Sequence, residues 1–138
     1  MEAPEKNELV AAALAVRQRA YAPYSSFMVG AALRCEDGSL HVGCNVENAA
    51  YPEGICAEAG AIAAMVSAGG TCIVEAVVCG GGSAPCTPCG GCRQKLREFG
   101  APTMRIHIVN AEGAILLTRT LSELLPDSFG PSNLGHGG

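Results

Sequence analysis

The chain has 138 residues, 49% hydrophobic and 16% charged, with a formal net charge of −4 and no basic run. That length and core content fit one domain spanning residues 1–138, and the acidic balance excludes the positive field that holds long nucleic acid by counterion release. No stretch approaches the ~20 apolar residues of a spanning helix, and residues 1–8 lack a secretory pattern, so the chain is expected in the cytoplasm with no membrane partner.

Leu9, Ala13, Val16 and Ala20 recur at helical spacing and predict a first helix over residues 7–21, ended by Ala22 and Pro23. Apolar runs at residues 27–35 and 40–46 flank the turn residues Glu36, Asp37, Gly38 and Ser39, which predicts an antiparallel hairpin. Asn48, Pro52 and Gly54 make residues 47–55 a surface loop. The Ala-rich segment 56–68, closed by Gly69 and Gly70, reads as a second helix. Gly60 inside it costs about 1 kcal/mol against Ala, which predicts close approach of another backbone.

Residues 73–79 have the β-branched density of a buried strand, and a Gly-rich loop follows. Pro88 then opens a third helix running to about Phe99 and stopped by Gly100. Residues 104–109 and 114–117 read as strands around a turn at Glu112 and Gly113. A short helix from Ser122 leads into a Gly/Pro-rich tail, flexible from about residue 131. The order predicts an α/β layered domain with a mixed sheet.

Eight cysteines in a core-rich chain without a leader point to metal binding rather than to a disulfide scaffold. Cys56, Cys89 and Cys92 fall at the starts of the second and third helices, where free N–H groups and the helix dipole favour thiolate. Three thiolates on one zinc leave a fourth position for water, the pattern of catalytic sites. Glu58, two residues after a ligand, can sit beside that water and move its proton. Other readings stay open at this point. Cys86, Cys89 and Cys92 also fit an iron–sulfur spacing with Cys56 as fourth ligand, and a structural zinc module without catalysis uses the same cysteines. Cys35, Cys44, Cys72 and Cys79 read as small core residues. His41, His107 and His136 belong to no recognisable motif.

The runs Tyr24-Ser25-Ser26-Phe27-Met28-Val29-Gly30, Asn45-Val46-Glu47-Asn48-Ala49-Ala50-Tyr51, Cys56-Ala57-Glu58 and Pro88-Cys89-Gly90-Gly91-Cys92-Arg93-Gln94 resemble those of the small homotetrameric cytidine deaminases. The similarity extends from the first helix to Phe129 and Gly130. It implies a three-layer α/β/α sandwich on a mixed, about five-stranded sheet and one zinc per chain. It also implies hydrolysis of cytidine and deoxycytidine to the uridines with release of ammonia, in pyrimidine salvage. In that family zinc hydroxide attacks C4 of the ring while Glu58 would shuttle the proton. The Ala57 N–H and a carbonyl near Thr87 would hold the base edge, Phe27 would stack on the ring, and Asn45 and Glu47 would bind the ribose hydroxyl. Tyr51 and Phe129 resemble residues lent to a neighbouring subunit's pocket, which implies a homotetramer with pockets at subunit borders. A small-residue face at Ala59, Gly60, Ala61, Ala63 and Ala64 is expected to pack in that assembly. The alternative within the fold is deamination of another aminated nucleoside or base. One departure stands out: many relatives carry arginine directly after the glutamate, where this chain has Ala59. The helix ends and Arg93 are then the candidates for offsetting the site's negative charge.

Overall fold

A computed structural model describes residues 3–136. Its elements are α1 (Ala3–Arg17), β1 (Gly30–Cys35), β2 (Leu40–Cys44), α2 (Ala57–Ser67), β3 (Ile73–Cys79), α3 (Gly90–Phe99), β4 (Gly100–Val109), β5 (Ile115–Thr120) and α4 (Leu121–Leu124), with 3₁₀ turns at Tyr51–Glu53 and Pro131–Leu134. The strands form one mixed sheet in the order β2-β1-β3-β4-β5. Only the β3–β4 pair is parallel, because α3 carries the chain back across the sheet between them.

Alternation along the strands divides the core into two layers. Ala32, Val77, Cys79 and Val109 face α1 and close over Leu9 and Ala13. Ala31, Leu33, Ala76, Val78, Ile106 and Ile108 face the other way, onto Ala61, Ile62 and Met65 of α2, Leu96 of α3 and Leu121 of α4. The expected three-layer arrangement on a five-stranded sheet is therefore present. The hairpin forms where the turn residues place it: Gly38 takes a positive φ of 88°, and the Asp37 carboxylate accepts hydrogen bonds from Ser39 N at 3.0 Å and Ser39 Oγ at 2.6 Å.

Element ends differ from the sequence reading where distant chain captures the backbone. The first helix stops at Arg17 instead of running to residue 21, because Tyr21 N donates to Asn45 O at 3.0 Å and Tyr21 bridges to Val46. Gly100 does not only end α3 but begins β4, where it pairs with Ile73. Residues 131–134, expected as coil, wind into a 3₁₀ turn.

The backbone approach expected at Gly60 is present, against Gly43 and Cys44 of β2, but the tight side of the contact is the partner glycine. A Cβ at Gly60 would meet its nearest atom, Cys44 O, at an ordinary 3.5 Å. Gly43 of β2 is the position that needs to be glycine: a Cβ there would lie 2.2 Å from Ala61 N and 2.5 Å from Ala57 O. The first turns of α2 thus rest directly on the β2 backbone, and this contact fixes where α2 begins. Of the small-residue face, Ala61 is buried within the chain and Ala63 and Ala64 are exposed.

Candidate metal centre

Two helix starts converge on one point. Cys56 is the N-cap of α2 and Cys89 the N-cap of α3, each with extended backbone and neither using its side chain as a cap. Cys92 follows in the first turn of α3 and is buried. The three sulfurs lie within 4.8 Å of one another, with Cys56 Sγ and Cys89 Sγ 3.9 Å apart. Zn–S bonds of about 2.3 Å at tetrahedral angles require sulfur separations of roughly 3.8 Å, which the Cys56–Cys89 pair meets and the whole set approaches, so the three cysteines fit as zinc ligands. Among the described residues Cys86 is not part of this group. Its thiol is instead half-buried on the cavity wall, against Gly80, which removes the fourth sulfur of an iron–sulfur reading.

The electrostatics of the free thiols depart from the expectation in two of three cases. The Cys89 thiol is held below its usual value, chiefly by the Cys92 backbone N–H it accepts from. Burial pushes Cys56 and Cys92 up instead, because desolvation outweighs what the helix starts supply. A bound dication reverses that balance, since a coordinating thiol loses its proton outright.

Glu58, in the first turn of α2, is only 5% exposed. Burial raises its carboxyl above the usual range, opposed by its own backbone N–H, by Cys92 and by the charge of Lys95. A carboxyl beside a metal site, tuned upward by burial, is suited to taking and returning a proton.

Cys56, Ala57, Glu58 and Cys89 line one cavity of about 340 Å³, together with Phe27, Asn45, Glu47, Tyr51, Cys86 and Thr87. Its walls are pre-set by hydrogen bonds. Asn45 Oδ1 accepts from Val29 N at 2.9 Å and Asn45 Nδ2 donates to Phe27 O at 2.8 Å, so Asn45 positions the loop that carries the Phe27 ring. One amide N–H and one lone pair of Asn45 remain for a ligand. Glu47 Oε1 accepts from Tyr24 N at 3.0 Å and Ser25 N at 3.1 Å, and Oε2 accepts from the Ser25 hydroxyl. The Ser25 hydroxyl bond is the main reason the Glu47 carboxyl lies below its ordinary value. These clamps are not legible in the sequence, because they link residues 16 to 23 positions apart.

Two candidate residues do not line that cavity. Arg93 donates from Nε to Pro88 O at 2.7 Å, from Nη1 to Leu124 O at 2.8 Å and from Nη2 to Thr87 Oγ1 at 3.3 Å, so its guanidinium braces the α3 start against α4. Phe129 lies outside the metal-site cavity. It borders a separate cleft of about 800 Å³ beside Gln94 and Arg97, and Gln94 Nε2 donates to its carbonyl at 2.8 Å. That cleft is larger than the metal-site cavity, but among the described residues it holds no cluster of metal ligands. His107, which the sequence left without a partner, lies between Glu75 and Thr118 in a buried hydrogen-bonded row across β3, β4 and β5.

Residues 4–108 match the family model of the cytidine and deoxycytidylate deaminase zinc-binding region. A cytidine deaminase of Sporosarcina psychrophila is 40% identical over 94% of this chain and 95% of its own length. The crystal structure of cytidine deaminase from Burkholderia pseudomallei superposes with a TM-score of 0.84 at 41% identity, covering 94% of this chain and all of that one. The cytidine deaminase structure from Mycobacterium tuberculosis gives a TM-score of 0.79 at 39% identity, over 90% of this chain and 96% of that one.

Proposed function

The chain belongs to the cytidine and deoxycytidylate deaminase family, and from that premise we propose that it hydrolyses cytidine and deoxycytidine to uridine and deoxyuridine, releasing ammonia. The observation that carries this reading is the buried Glu58 carboxyl beside three sulfurs spaced for one zinc, in the cavity that also holds Phe27, Asn45 and Glu47. Cys56, Cys89 and Cys92 hold the zinc, which when bound lets water ionise near neutral pH.

The chain's own groups do the rest. Glu58 takes one proton of the attacking water on a carboxylate oxygen and passes it to N3 of the pyrimidine; it then takes the remaining proton from the new C4 hydroxyl and gives it to the departing amine, which leaves as ammonia as the C4 carbonyl forms. The Ala57 N–H, at the first position of α2, and the chain at Thr87 hold the base edge, and Phe27 packs on the ring face. Glu47 retains carboxylate lone pairs beyond those its clamp uses, so it accepts a hydrogen bond from a ribose hydroxyl. Its negative charge repels a phosphate in the same place, and free nucleosides are therefore preferred to nucleotides.

Tyr51 is 78% exposed and Phe129 58% exposed. Those values support a homotetramer in which both rings complete pockets at subunit borders. Pyrimidine salvage in the cytoplasm is the role consistent with a free-nucleoside substrate.

The test is the fall in ultraviolet absorbance on deamination, run with cytidine, its 5′-phosphate and guanine. Cytidine turns over fastest, and Glu58→Gln retains one zinc per chain while losing about 10²–10⁴-fold in rate. Full turnover by Glu58→Gln, or a preference for guanine or the 5′-phosphate, overturns the assignment.

A further inference from the structure

The chain beyond α4 is held by α3 at three successive residues. Gln94 and Arg97 stand three positions apart, on one face of that helix, and both reach it. Gln94 Nε2 donates to Phe129 O at 2.8 Å, and Arg97 Nε donates to Ser128 Oγ at 3.0 Å. Gly130 rests on the guanidinium itself: a Cβ there would stand 2.6 Å from Arg97 Cζ, 2.7 Å from Nη2 and 3.0 Å from Nε. The central carbon is the nearest of the three, so the glycine meets the flat face of the group. Arg97 is only 8% exposed, Gly130 is buried, and Gly130 N donates to Asn133 Oδ1 at 2.8 Å. Just upstream, Asp127 has a φ of 52°, a left-handed conformation that persists in a non-glycine residue where the surrounding structure over-determines it.

The Phe129 ring is the part left outside this grip. Its backbone is fixed on both sides, yet the ring stays exposed and does not line the chain's own metal-site cavity. An aromatic side chain on a fixed backbone has only two torsions left to order, so docking it into a pocket carries a small entropic cost.

We infer that Gln94 and Arg97 are positioning residues for a neighbouring subunit's site: they clamp Ser128, Phe129 and Gly130 so that the Phe129 ring is pre-set to enter the pocket of a second copy of this chain. This rests on the reading that Phe129 completes a pocket at a subunit border. Helix α3 then serves two sites. Its start carries Cys89 and Cys92 for its own metal centre, and the face bearing Gln94 and Arg97 sets a wall of the next one.

Cytidine turnover is measured for Phe129→Ala and for two clamp variants. Ser128→Ala removes the hydroxyl that accepts from Arg97, and Gln94→Met keeps the side-chain length without the amide donor. Phe129→Ala raises KM about tenfold, within the range for losing one stacking contact between a ring and a base. Each clamp variant raises KM about two- to tenfold, the worth of one hydrogen bond, while kcat and zinc content stay near the parent's. Ser132→Ala, which removes an exposed hydroxyl from the following 3₁₀ turn, retains the parent KM. Each variant is then co-expressed with Glu58→Gln under a second affinity tag, and the mixed assembly is purified through both tags. There the working carboxyl comes from one chain and the intact 128–130 segment from the other, so sites of parent KM reappear with Phe129→Ala and with both clamp variants. Recovery with Phe129→Ala alone overturns the inference. So does a parent KM in the clamp variants when Phe129→Ala raises it, or a loss of zinc and kcat in step with KM. A Phe129→Ala chain of parent KM, one that no Glu58→Gln partner restores, or the failure of any mixed assembly to form instead overturns the reading of Phe129 as a lent residue.

Discussion

Replacing Gly43 by Ala should damage the metal centre from the far side of α2. The added methyl would stand 2.2 Å from Ala61 N, 2.5 Å from Ala57 O and 2.6 Å from the Gly60 carbonyl carbon. These are backbone atoms, so no side chain can swing aside, and the helix must retreat by about 1 Å to reach the 3.4 Å of ordinary contact. Overpacking of this kind costs about 1–3 kcal/mol. Ala57 lies between Cys56 and Glu58, so the displacement falls on the ligand and the acid–base carboxyl together. A misplacement near 1 Å in a catalytic constellation costs about 10²-fold in rate, beyond the ~0.5 Å such sites tolerate. Gly60→Ala is the matched control on the opposite side of the same contact. Its new methyl meets Cys44 O at 3.5 Å and Gly43 Cα at 3.6 Å, both ordinary contacts, and Ala gains up to about 1 kcal/mol over Gly inside a helix. Urea unfolding midpoints at constant slope, zinc content and cytidine turnover would be measured on both variants. If Gly43→Ala keeps the parent's stability and turnover, or if Gly60→Ala proves the more damaging, the packing argument fails.

Two further perturbations probe groups outside the metal centre. His107→Leu leaves the buried Glu75 carboxylate without its partner and should cost about 3 kcal/mol or more, while adding Glu75→Leu should recover most of that loss; denaturant titration of the single and double variants checks both, and a single variant within 0.5 kcal/mol of the parent would count against the pairing. The Glu47 clamp should be pH-dependent in a defined sense. Its folded carboxyl lies below the unfolded value of about 4.3, so the stabilisation is complete above that value and is lost as pH falls through the lower, folded one. Ser25→Ala removes the main cause of the depression and should move the Glu47 titration upward, as read by carbon-13 NMR of the side-chain carboxyl; an unmoved titration would show that the Ser25 hydroxyl is not the cause.

The ligand residues were legible in the sequence because each half of the site is a local motif. Cys56-Ala57-Glu58 and Cys89-Gly90-Gly91-Cys92 lie at helix starts, and helix starts are written in short-range signals: Pro88 before the third helix, and an Ala-rich run closed by Gly69 and Gly70 for the second. The hairpin turn at Asp37, Gly38 and Ser39 is local in the same way. Strand alternation likewise showed which residues form the sheet, though not which face meets which helix.

The sulfur separation that fits zinc was not legible, because Cys56 and Cys89 are 33 positions apart and are brought to 3.9 Å by α2 resting on Gly43 and by the β3–β4 crossover. Nor were the direction of Arg93, the clamp on Glu47 or the separation of Phe129 from the metal-site cavity. Residue type and spacing settle what a segment can form by itself, since helix caps and turns are satisfied within a few residues. Where two such segments meet, and which charges then share one desolvated space, depends on close packing between distant backbones, and that is decided only by the folded chain.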